Sequence, residues 1–246
     1  VTDDVSPPGR LARLPAGRSE NNLIRKLRAP DRERLLAQCD SVQLVLSDVV
    51  CEAGELTRHV LFPVDGFVSL VTAVSGHSGV EVGMVGREGL FGMNVALGVP
   101  TSPLRAVVQG PGAAWQLGRA SFLREVTRNA LLGKLLKRYQ YVLMTQLATA
   151  SACQRFHPIG ARLARWLLMS SDRAHADSFR VTHEFLALML GVRRVGVTVA
   201  AGGLNAHGLI RYHRGEVFVL DRVGLERQAC SCYAADCAVY LAQMGS

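Results

Sequence analysis

Residues 121–153 contain no proline and a single glycine, Gly133. Leu132, Leu135, Leu136, Tyr139, Val142, Leu143, Gln146, Leu147 and Ala150 recur through them at helical spacing. Such a run is the seam of a helix that packs on another helix. At about 1.5 Å per residue it is on the order of 40 Å long. A seam of that length is expected to meet a second copy of the chain. Leu132, Leu135, Leu136, Tyr139, Leu143 and Leu147 are the candidate homodimer contacts. A core helix lying against neighbouring strands gives the same periodicity. His157-Pro158 ends the run, because the residue before proline avoids the helical region. A second helix over 159–171 follows, with Leu163, Trp166, Leu167 and Met169 as core candidates.

The chain on either side of this helix has a different texture. Residues 1–19 are rich in Pro, Gly and Arg and read as a loose leader. Residues 21–39 carry a helical pattern interrupted at Ala29-Pro30. Short apolar runs then alternate with Gly, Pro, Asp and Ser at 42–46, 60–62, 67–74, 80–85, 106–109 and 113–117, the pattern of a β-roll or barrel. The predicted fold class is α+β: an N-terminal jelly-roll-like β-roll, a long dimerisation helix and a C-terminal winged helix-turn-helix. The expected division is a leader (1–19), a roll (20–120), the long helix (121–154), a mainly helical unit with a hairpin (155–225) and a terminal helix (226–246). Early aspartates and prolines argue against a signal peptide, and no apolar run is long enough for a membrane span. The expected location is the cytoplasm.

The formal charge is +8, held by 25 arginines and three lysines. An anionic partner suits that balance, and an arginine-rich coding bias produces it equally well. Six cysteines in such a chain read as reduced thiols.

Residues 182–205 carry the functional signal. Thr182 is a good N-cap, and Glu184 complements the helix dipole in the first turn. Phe185, Leu186, Met189 and Leu190 form an apolar face, Gly191 stops the helix, and Val192 plugs the turn. On the second helix, beginning at Arg193 or Arg194, Val197, Ala201 and Leu204 face inward. Arginine at its exposed start bonds guanine at two points, and threonine meets a base edge or a thymine methyl, so this helix suits the major groove. Residues 209–220 alternate around an Arg-Gly turn and read as a β-hairpin wing. The candidate DNA contacts are Thr182, Arg193, Arg194, Val195, Thr198, Arg211 and Arg214.

This segment resembles the C-terminal domain of the Crp/Fnr family of bacterial regulators. The resemblance rests on Thr182, Gly191, Arg194, Leu204 and the sequence Gly208-Leu209-Ile210. Residues 62–70 and 85–92 are similar to the family's sensory roll, so the resemblance spans about residues 21–225. It implies a cyclic-nucleotide-binding-type roll, a parallel helical homodimer, double-stranded DNA as partner with RNA polymerase beside it, Thr182 on phosphate and Arg194 on a base. Val195 replaces an often acidic residue, Thr198 and Val199 stand where a second reading arginine is common, and Arg193 replaces a capping residue. These departures bear on the operator sequence. Gly202 and Gly203 inside the second helix each cost about 1 kcal/mol relative to alanine.

For the sensed signal, Glu88, Gly92, Met93 and Arg105 are the candidate pocket residues. Gly83, Gly86, Gly89 and Gly92 match neither the dinucleotide fingerprint nor the P-loop and read as tight turns between strands. Gly92-Met93 and Leu104-Arg105-Ala106 stand where relatives hold ribose and cyclic phosphate, without the glutamate and with the arginine shifted, which argues against cyclic AMP. An iron–sulfur centre lacks its cysteines, and His59 and His77 are isolated as haem ligands. No other cofactor is indicated. Cys230, Cys232 and Cys237 are candidate zinc or redox thiols, with His213 or Asp236 as a fourth ligand, or small apolar residues on a helix. No nucleophile elbow, HExxH motif or triad indicates an enzyme, and a cupin-type metal set is missing. A ligand-binding module without specific DNA binding is the rival reading.

Overall fold

The computed structural model describes residues 21–74, 77–174 and 176–245. The expected leader lies outside them. Two short helices open the described chain, α1 (Asn22–Arg25) and α2 (Ala29–Leu36), with Pro30 in the first turn of α2. The Asn21 side-chain oxygen accepts from the backbone N–H groups of Leu23 and Ile24. Its amide donates to the carbonyls of Pro63 and Gly89 and so fastens α1 to the roll.

Seven strands follow: β1 (Asp40–Leu44), β2 (Val49–Cys51), β3 (His59–Pro63), β4 (Phe67–Val74), β5 (His77–Val85), β6 (Arg105–Gly110) and β7 (Gly112–Gly118), with the one-turn helix α3 (Met93–Ala96) between β5 and β6. They form two antiparallel sheets of order β1-β7-β3 and β2-β6-β4-β5. Val42, Leu61 and Ala114 from one sheet share a core with Cys51, Val68 and Val108 from the other, so the expected roll is present. The three-residue β2 carried too few residues to show an alternation.

The long helix is divided. α4 (Arg119–Arg128) ends at Asn129, whose extended backbone breaks the run and whose side chain caps α5 (Ala130–Phe156) by accepting from the Leu132 N–H at 3.1 Å. An asparagine is neutral inside a helical pattern and decisive at its start, which apolar periodicity does not register. α5 then runs unbroken for 27 residues to His157.

The C-terminal part comprises α6 (Ile159–Ala174), β8 (Ser178–Arg180), α7 (His183–Leu190), α8 (Arg194–Ala206), β9 (Ile210–His213), β10 (Glu216–Val219), α9 (Arg222–Gln228) and α10 (Ser231–Met244). β8 joins the predicted hairpin to give a sheet of order β8-β10-β9. Leu163, Leu167, Leu186, Val197, Ile210 and Leu225 are buried together beneath it. α10 returns to pack along α5, and Met244 enters the core shared by α1 and the roll. Buried ion pairs tie these parts together: Arg173 of α6 meets Glu88 of the roll at 2.9 Å, and Arg165 meets Asp236 of α10 at 2.6 Å. Among the described residues, no single helix is long and apolar enough to cross a membrane.

The glycine series serves a turn, as expected, and close packing besides. Gly92 alone of the four has a positive φ, 100°. At Gly86 a Cβ would strike the Arg173 side chain, and at Gly89 it would fall on the Tyr139 ring. Gly86 and Gly89 close a tight turn after β5, the Gly89 N–H donating to the Gly86 carbonyl at 3.1 Å, and they also make room for close packing of Arg173 and Tyr139 on the roll.

Candidate nucleic-acid interface

Thr182 caps α7 as expected, its Oγ1 accepting from the Phe185 N–H at 3.1 Å. Gly191 adopts the left-handed conformation, φ 62°, and ends that helix. α8 then leaves at 106° to α7, within the range that joins the two helices of a helix-turn-helix. Val197, Ala201 and Leu204 hold α8 on the core. The opposite face carries Arg194, Val195, Thr198, Val199, Gly202 and Gly203 in solvent, with Val195 71% and Val199 73% exposed.

The groups on that face are already organised. Arg194 pairs with Glu184 at 2.9 Å, both side chains largely exposed. The Thr198 hydroxyl donates to the Arg194 carbonyl and lies 3.0 Å from Nδ1 of His183, whose ring stacks on Tyr212 at 4.4 Å. Burial, reinforced by the Arg194 charge, holds the His183 imidazole below its ordinary pKa, which favours the neutral ring. His183 and Glu184 thus position two of the predicted contacts. Their signal in the sequence was limited to their place in the first turn of α7. No fold contact explains Gly202 or Gly203, since a Cβ at either meets no atom within 4 Å.

The wing turns at Arg214 and Gly215, with φ 49° and 79°, the two positive angles that a two-residue hairpin turn requires. Arg211 lies over the Phe218 ring at 4.6 Å. Arg180 on β8, missed from the sequence because the strand is so short, adds an exposed cation beside the hairpin. Arg193, Arg194, Arg211 and Arg214 are all exposed, so the structure leaves every predicted basic contact accessible.

The remaining predicted sites are rearranged. Gly92 and Met93 line a pocket of about 170 Å³ between the roll and α5, together with Leu70, Leu97, Gln140 and Leu143, and no charged side chain lines it. Glu88 faces away into its pair with Arg173, and Arg105 sits at the roll surface paired with Glu52 at 3.1 Å. Neither reaches the pocket, because both charges are satisfied elsewhere. Along α5, Leu132, Leu135, Leu136 and Tyr139 are buried in the chain's own core, while Leu143 is half-buried. The apolar stripe left open is Tyr141, Met144 and Leu147. The expected seam is therefore mostly intramolecular, and only Leu143 and Leu147 of the six named contacts border the free face.

The cysteine trio also changes membership. Cys237 faces a separate cavity of about 460 Å³ bordered by Arg25, Asp172 and Tyr240. Asp236 is engaged by Arg165, and His213 lies on the wing. Cys230 and Cys232 instead meet Cys153 and His157 at the end of α5. The Cys230 thiol is held below its ordinary pKa, chiefly by its contact with Cys153, while the same contact and burial push Cys153 up.

Residues 161–228 match the Crp-like helix-turn-helix domain. No curated protein matches the sequence. Among solved structures, FixK2 from Bradyrhizobium japonicum is 15% identical with a TM-score of 0.66, over 78% of this chain and 98% of that one. The c-di-GMP responsive global regulator CLP of Xanthomonas campestris is 16% identical with a TM-score of 0.61, over 78% and 99%. A CRP-family transcriptional regulator from Thermus thermophilus is 23% identical with a TM-score of 0.59, over 76% and 95%. At these identities the likeness is one of fold: antiparallel roll, long helix and helix-turn-helix in the same order.

Proposed function

Given that this chain joins a Crp-like helix-turn-helix domain to the fold of the Crp/Fnr regulators, we propose that it is a homodimeric transcription regulator that binds double-stranded DNA by sequence. The observation that carries this reading is α8, fixed by three apolar residues and presenting Arg194, Val195, Thr198 and Val199 outward at 106° to α7. Arg194 reads a guanine once it exchanges Glu184 for the base, and Thr198 with the two valines meets thymine methyls. Thr182, Arg193, Arg211 and Arg214 lie where they contact phosphates and fix the register. Gly202 and Gly203 on α8 permit close approach of the duplex, for which the chain's own packing supplies no other reason.

The second copy docks on the open stripe Tyr141, Met144 and Leu147, placing two α8 helices one turn of DNA apart, about 34 Å. The pocket at Gly92 and Met93 receives the effector. With no cation in its lining and a volume of about 170 Å³, it suits a small, largely apolar ligand and serves cyclic AMP poorly. Leu143 and Leu147 line that pocket beside the dimer stripe, so ligand binding there moves the helix pair. The working division is a roll over 20–120, a helical segment over 121–154 that is broken at Asn129, a DNA-binding unit over 155–225 and a terminal helix over 226–246, acting in the cytoplasm beside RNA polymerase.

Repeated selection from random duplex DNA tests the proposal. The wild type enriches a palindromic consensus and Arg194→Ala does not. Failure of the wild type to enrich any sequence, with or without cell extract, refutes it in favour of a sensory module without specific DNA binding.

A further inference from the structure

Four side chains from two distant segments converge at the joint between the long helix and the DNA-binding region. Cys153 lies in the last turn of α5 and His157 is its C-cap. Cys230 is the N-cap of α10 and Cys232 stands in its first turn. The Sγ atoms of Cys153 and Cys230 are 3.5 Å apart, as are Cys232 Sγ and His157 Nδ1, and all four atoms lie within 4.8 Å of one another. The three cysteines are buried and the histidine is half-buried.

We propose that Cys153, His157, Cys230 and Cys232 form a structural zinc site. A tetrahedral ion with bonds of ~2.3 Å to sulfur and ~2.0–2.1 Å to nitrogen has ligand–ligand edges of roughly 3.5–3.8 Å, close to the two separations observed. Three thiolates and one imidazole are a standard structural donor set. Soft sulfur in a tetrahedral frame selects zinc over the hard divalent ions. Cys230 stands at the N-cap of α10, where the positive end of the helix dipole favours a thiolate. Arg162 and Arg165 border the same small cavity as Cys153, so the single net negative charge of a zinc with three thiolates has cations beside it. Coordination releases the remaining thiol protons to solvent. The ion would pin α10 to the end of α5, beside the His157-Pro158 joint from which α6 departs.

The test is a metal count on the full chain purified under reducing conditions, with cobalt substitution as a second readout. The expected result is about one zinc per chain and, after exchange, the thiolate charge-transfer and intense visible bands of tetrahedral cobalt. Cys153→Ser and Cys232→Ser lose at least ten-fold in zinc affinity, while Cys237→Ser retains it. Were the serine variants unable to fold, the cobalt spectrum of the wild type still decides, because it reports thiolate ligation directly. Absence of zinc and of the tetrahedral spectrum in folded protein overturns the proposal. So does unchanged zinc affinity in folded Cys153→Ser and Cys232→Ser, or a Cys153–Cys230 disulfide as the state of the freshly reduced and repurified chain. The count involves no DNA, so its outcome is separate from that of the selection experiment.

Discussion

Replacing Glu81 by glutamine is expected to change how the stability of the chain depends on pH. Glu81 stands on β5, half-buried, where its carboxylate accepts from the Ser69 hydroxyl at 2.5 Å and from Nε1 of Trp166 at 3.0 Å. It therefore joins the roll to α6 beneath the DNA-binding helices. Burial raises its pKa from 4.5 to about 7, against the opposing pull of both hydrogen bonds and of Arg173 and Arg165. The folded state thus holds a proton that the unfolded chain has already released between these two values. Stability from this group is complete below pH 4.5, is lost as the pH rises through about 7, and is level beyond. At ~1.4 kcal/mol per pH unit the loss is about 3 kcal/mol at most, and partial solvent contact reduces it. Glu81→Gln offers an amide N–H to the Ser69 hydroxyl oxygen and keeps an acceptor for Trp166 while removing the titration. Urea unfolding at pH 5 and pH 8 measures the difference. The wild type is expected to lose about 2 kcal/mol more than the variant between the two conditions. Parallel pH dependence of the two proteins would refute the reasoning, since every other titrating group is common to both.

Two more substitutions separate fold from function. Gly202→Ala fills open space on an exposed helix and should stabilise the chain by about 1 kcal/mol, seen as a raised Tm, while weakening DNA binding if the duplex approaches there. Met144→Asp puts a charge on the open stripe of α5 and is expected to give a folded monomer in sedimentation, whereas Leu132→Asp, buried at 1% exposure, should unfold the chain.

What the sequence disclosed was local. Thr182, Gly191 and the Arg214-Gly215 turn act through their own backbone angles, and each was legible from residue type and spacing. The alternating strands of the roll were legible for the same reason. Periodicity on α5 marked most of the buried residues, though Leu143 is half-buried and Leu147 exposed, and it could not say what buries them, so Leu132, Leu135, Leu136 and Tyr139 turned out to face their own chain. Glu88 and Arg105 were assigned to a pocket by position along the chain, and their ion-pair partners Arg173 and Glu52 are 85 and 53 residues away. The cysteine site shows the same limit. Cys230 and Cys232 stood out as neighbours, but Cys153 and His157 join them across 77 and 75 residues, and only the return of α10 onto α5 brings them together.

The central claim is sequence-specific recognition by α8. It is tested most directly by anisotropy titration of one fluorescent duplex carrying the selected consensus against a scrambled duplex of equal length, at fixed near-physiological salt. The account predicts a preference on the order of 10³ or more for the consensus. Arg194→Ala is expected to reduce that preference by about 1–3 kcal/mol and to leave affinity for the scrambled duplex nearly unchanged. Equal affinity of the wild type for both duplexes, or an undiminished preference in a folded Arg194→Ala protein, would contradict it.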